Sequence, residues 1–189
     1  MAILDNPQED IHTTDVSFMP TAQKWGLYLA ATSVISTILM SLVGFKFDTM
    51  TSMMVFGLVS LVLLLALLIT FGVLTIREHR TNLGGFIDFK QAFMVCFVAF
   101  AISILISSPF NFIYNAYINP SFMEGMKDSM TAIFEEKGVP ESARADAMKG
   151  LDDAKTVAGT AISMVKGIIG TGILAAIMAA IMKRARPMF

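Results

Sequence analysis

The segment 53–76 sets the terms for the whole chain: twenty-four consecutive residues without a charge, with LVLLLALLI at their centre. About 20 apolar residues in a helix cross the roughly 30 Å hydrocarbon core of a bilayer. Inside that core every backbone amide has to be paired within the protein, which leaves helices or closed barrels. A continuous apolar run without alternation points to a helix. Three further segments have the same character, about 25–43, 89–117 and 161–182, and the polar residues lie in blocks between them. Hydrophobic residues make up 55% of the 189 positions and charged residues 15%. The mean hydropathy of +0.67 is too high for a chain that hides its apolar side chains only in its own core. The expected fold is all-α: a polytopic membrane protein with four transmembrane helices and a two-helix hydrophilic insert between the third and fourth.

Local signals refine the boundaries. Pro20 suits a first helical turn, and Lys24 and Trp25 suit an interfacial anchor for the first span. Asp88 and Gln91 have the spacing of an N-cap residue and its N3 partner at the start of the third span. Pro109 falls inside that span, where it removes one backbone hydrogen bond and favours a kink. The insert, about 118–160, reads as two helices. Ser121 and Glu124 match a capping box, and Phe122, Met126, Met130 and Ile133 or Phe134 recur at helical spacing up to Gly138. Pro140 then opens a second helix whose stripe, Ala143, Ala147, Leu151, Ala154 and Ala158, is expected to run unbroken into the fourth span. Residues 1–23 form an acidic tail with Asp5, Glu9, Asp10 and Asp15 but no Lys or Arg. That is the wrong charge for the start of a signal peptide, so the first span is expected to stay in place, and 24–189 is expected to form one membrane domain.

Orientation follows from where Lys and Arg hug the membrane. Lys24, Arg77, Arg80, Lys90, Lys183, Arg184 and Arg186 fall on one side. Lys46 and the insert's Lys127, Lys137, Arg144, Lys149 and Lys155 fall on the other, the latter five among eight acidic residues. The short, concentrated set marks the cytoplasmic side, so both termini are expected inside and the insert outside, in a cell inner membrane.

The fourth span carries small residues every four positions: Gly159, Ser163, Gly167, Thr171, Ala175 and Ala179. Such a face lets helix backbones approach closely. It reads first as packing within the chain, with Gly167 expected nearest its neighbour; self-association or docking on a partner subunit is the alternative. Gly172, Ala176 and Ala180 make a second, adjacent row. Lys166, near the start of the span, reads as a snorkelling anchor. It is also expected to lie level with Asn111, Tyr114 and Asn115, giving a candidate polar cluster. Met123, Met126 and Met130 share a helix face, and with Met19, Met50, Met53 and Met54 they could supply thioethers to cuprous copper, but methionine at apolar surfaces is ordinarily packing. His12 and His79 are not in metal-spaced sets, so no metal site is expected. Arg77, Glu78, His79 and Arg80 read as a headgroup-binding stop after the second span. Asp88 is explained by capping alone. Cys96, the only cysteine, is lipid-facing or packed filler. A net charge of −1 offers no field for nucleic acid. No phosphate-binding loop, serine elbow or intramembrane carboxylate pair is present in the sequence, so no cofactor and no enzymatic activity are expected.

The residues GFIDFKQAF from Gly85 and YNAYINP from Tyr114 resemble those of an uncharacterised bacterial family, domain of unknown function family 4199. The resemblance covers about Lys24 to Arg186 and implies four apolar segments, a polar insert before the last and a basic C-terminal end. Asn119 departs from the aspartate more familiar before that proline. The family implies no activity. The expected role is therefore association, as an accessory subunit or scaffold, with the bilayer and either a second copy or another membrane protein as partners; a small oligomeric transporter or channel is the alternative.

Overall fold

Asp88 starts its helix as its spacing predicts. Its carboxylate accepts from the Gln91 amide at 2.7 Å, and the Gln91 side chain accepts from the Asp88 amide at 3.4 Å. The computed structural model describes residues 16–43, 49–153 and 155–184. Among these the chain is helical: α1 (Met19–Leu42), α2 (Met50–Asn82), α3 (Phe89–Ile113), a π-helical turn (Tyr114–Ile118), α4 (Pro120–Glu136), α5 (Glu141–Asp153) and α6 (Val157–Met182). Four of them, α1, α2, α3 with its π turn, and α6, are long and apolar enough to cross a membrane. The helices α4 and α5 make the insert.

α3 is the axis of the bundle. Ala92, Val95, Cys96, Ala99 and Phe100 on it are buried, and α1 and α6 pack against it, the former through Ala22 and Leu29, the latter through Ala175, Met178 and Ala179. Cys96 is thus core filler. A close backbone approach joins α1 and α3, where a Cβ on Gly26 would stand 2.7 Å from the Ala99 carbonyl oxygen. A second close contact joins α2 to α6: a Cβ on Gly72 would meet the Met178 methyl at 2.5 Å. In lipid, where burying an apolar side chain gains little, such van der Waals fit is what holds helices together.

One end of the bundle is tied by polar contacts. Glu78 on α2 accepts from Lys24 Nζ at 2.8 Å and from the Trp25 indole at 2.9 Å, both on α1. Arg77–Arg80 therefore continue α2 and include a bridge to α1, with His79 buried, where the sequence suggested a simple headgroup patch. Gly84 and Gly85, at φ +79° and +95°, turn the chain toward α3 with a backbone that side-chain-bearing residues seldom adopt. Ile87 in that turn pairs its backbone with Arg184 in both directions, at 3.0 and 2.8 Å, which pins the end of α6.

Three local expectations are corrected. Ser121 and Glu124 do not cap α4: Pro120 takes the first helical turn, Asn119 stands at the N-cap, and Ser121 Oγ donates to Asn119 Oδ1 at 3.0 Å. The chain also does not run unbroken from α5 into α6. Thr156 caps a new helix by accepting from the Gly159 amide at 3.0 Å, and a Cβ on Gly159 would run into the Asp153 carbonyl. Gly159 is therefore small for the turn and not for a neighbouring span. Gly167, finally, is not the nearest approach: its Cβ would sit 3.5 Å from Ile104 Cδ1, an ordinary contact. Of the six-residue stripe, Gly159, Thr171, Ala175 and Ala179 are buried, Gly167 is half-buried and Ser163 is exposed.

Candidate functional site

At the end of the bundle next to the insert, the spans part around a half-open cavity of about 340 Å³. Helix α1 gives it a polar wall. Ser33, Thr37 and Ser41 recur every four residues along one side of that helix, with Ser36 beside them. Two of these hydroxyls also bond their own helix, Thr37 to the Ser33 carbonyl at 3.1 Å and Ser41 to the Ile38 carbonyl at 2.8 Å. From α2 come Ser60 and an apolar strip, Phe56, Leu63, Leu64 and Leu67.

The third wall is the far end of α3. Ser107 and Asn111 precede the π turn, and Tyr114 and Asn115 lie on it. A π turn adds a residue to the helical repeat and re-aims the side chains around it, which is why such turns gather at functional sites. Here it closes with the Asn119 amide donating to the Tyr114 carbonyl at 2.8 Å. The Tyr114 hydroxyl is 2.5 Å from Ser41 Oγ and ties the π turn to α1 at the insert end of the cavity. Asn111 Oδ1 is buried and has no hydrogen-bond partner, an acceptor held out of water at a cost of about 1–3 kcal/mol. The first turn of α4 closes the top with Phe122 and Met123, the Phe122 ring standing 6.1 Å from that of Phe56.

Of the polar cluster drawn from the sequence, Asn111, Tyr114 and Asn115 come together on the cavity wall. Lys166 does not join them. It is exposed on α6 and forms no part of the lining. All three line the cavity together with residues of α1 and α2. The partners that sequence reasoning missed are Ser33, Ser36, Thr37 and Ser41 on α1 and Ser60 on α2. The four-residue spacing of Ser33, Thr37 and Ser41 was a readable signal of the same kind as the small-residue stripe on α6.

Among the cavity-lining residues none is charged. The arrangement can therefore donate and accept hydrogen bonds beside an apolar strip. Met123 lines the cavity, whereas Met19 lies at the other end of α1. Among the described residues no three His, Cys, Asp or Glu side chains converge on a metal-sized space. His79 is buried with its Nδ1 unpartnered at the end of the bundle opposite the cavity, and His12 falls outside the described residues.

The model of the family described as Protein of unknown function (DUF4199) matches residues 24–184, that is, the insert and all four spans except the first five residues of α1. No curated protein and no solved structure matches the chain.

Proposed function

We propose that this chain, which belongs to the DUF4199 family, is an integral protein of a cell inner membrane that acts by association with other membrane chains and not by catalysis. Both termini would lie on the cytoplasmic side and the insert outside, as the distribution of Lys and Arg favours. The observation that carries the reading is Gly170. It is exposed on α6 with nothing within 4 Å of where a Cβ would stand, so its own bundle makes no use of its smallness. A glycine costs a helix about 1 kcal/mol relative to alanine in water, and close approach by a helix from another chain accounts for keeping it. The neighbouring Ser163 is exposed too, and the most apolar stretch of α2 is unburied within the chain.

The test is a photo-crosslinking residue placed at Ile169 or Ile173, both exposed on α6, in cells expressing the full chain. Adducts to a second copy or to one defined protein, lost on Gly170→Leu, are expected. Adducts to lipid alone would contradict the reading. The cavity favours a second one, a small oligomeric transporter or channel, because its hydroxyls reach well into the span. Proteoliposomes that release an uncharged polyol no faster than empty ones would dismiss it.

A further inference from the structure

The cavity beside the insert has a chemistry that selects its occupant. Its polar groups are hydroxyls and amides, and among the described residues no charged side chain lines it. Bringing an ion into such a setting without a counter-charge is costly, so the fitting headgroup is uncharged. Asn111 lines the cavity, and its covered Oδ1 lacks a partner. A hydroxyl both donates and accepts, and so satisfies an amide in either orientation.

The polar wall also has a direction. From Ser41, near the end of α1, to Ser33 is eight residues, about 12 Å at 1.5 Å per residue, running from the membrane boundary toward its middle. Alongside it Leu63 and Leu67 on α2 present an apolar strip. The volume of about 340 Å³ is at the small end of the roughly 300–1,000 Å³ seen for ligand sites, enough for a small headgroup and the start of a chain.

We propose that this cavity binds an uncharged, hydroxyl-bearing lipid, of the monoacylglycerol kind, drawn from the leaflet next to the insert. Its hydroxyls engage Asn111, Tyr114 and the α1 serines, and its chain lies along Leu63 and Leu67. Phe122 and Met123 of the insert close over the headgroup, so the external hairpin covers the bound molecule directly. The inference is independent of whether the chain associates with others, because every residue it uses lies on the inner side of one bundle.

The test uses the purified full chain in lipid nanodiscs with a monooleoylglycerol carrying a diazirine in its acyl chain. Saturable adducts on the α2 peptide containing Leu63 and Leu67 are expected. Unlabelled monooleoylglycerol should compete at least tenfold better than oleate, which shares the chain but carries a charge, and glycerol alone should not compete. Asn111→Leu removes the unpartnered acceptor, so it should melt no lower than the parent protein while binding the probe at least tenfold more weakly. Ser36→Val, a smaller change on the opposite wall, should weaken binding at least threefold and serves if Asn111→Leu does not fold. Labelling that never saturates, equal competition by oleate, full competition by glycerol, or unchanged binding in the folded variants would each overturn the proposal.

Discussion

Glycines that look alike in sequence do different work here, and the difference lies in what stands opposite each. At Gly26 the obstacle is the Ala99 carbonyl oxygen, part of a helix backbone that cannot rotate away. Gly26→Ala should therefore cost about 1–3 kcal/mol by overpacking. Within a single, dissociated chain Gly170→Ala meets open space and should be neutral or stabilising by up to about 1 kcal/mol, as helix propensity in water suggests. Gly72 is intermediate, because the flexible tip of Met178 can give. Thermal melts in one detergent decide the matter, and a Gly26→Ala midpoint equal to the parent's would contradict the packing described. Four-residue spacing shows that a helix has a smooth face. It does not show which partner uses it, and this is why Gly167 looked central in the sequence while Gly26, isolated on α1, did not.

For whole elements, the spans were legible because bilayer thickness imposes a length that few other structures require, and the helix caps were legible where side chain and spacing agree. Asp88 is such a case. Asp88→Ala should lower stability by about 1 kcal/mol through loss of the cap, and Asp88→Asn by much less, since both side chains offer an acceptor. A larger loss for Asn than for Ala in chemical-denaturation midpoints would mean that the carboxylate has a second task. The break between α5 and α6 was not legible, because the alanine stripe continues through it and the signals that stop it, Thr156 as cap and Gly159 under the Asp153 carbonyl, are each single residues. Nor was the π turn, which depends on how Tyr114–Ile118 fits between α3 and α4 and has no sequence period of its own. The candidate site was half readable: Asn111, Tyr114 and Asn115 stood out as polar residues at a span's end, but the side they face is a tertiary outcome.

At the scale of the molecule, the proposed topology puts the start of α1 and the end of α6 on one side and the α4–α5 hairpin on the other. Glu78, Lys24, Trp25 and the Ile87–Arg184 pair tie the end where α1 starts and α6 ends, and the cavity lies at the end with the insert. Cys96 is buried at 0% exposure, so Cys96→Ala gives a background in which single cysteines report alone. Two are informative: Ser129→Cys on α4 and Met188→Cys in the C-terminal segment. In intact cells, a membrane-impermeant thiol reagent should label the first and reach the second only after permeabilisation. Labelling of the second but not the first would invert the orientation, and equal labelling of both in intact cells would contradict four spans.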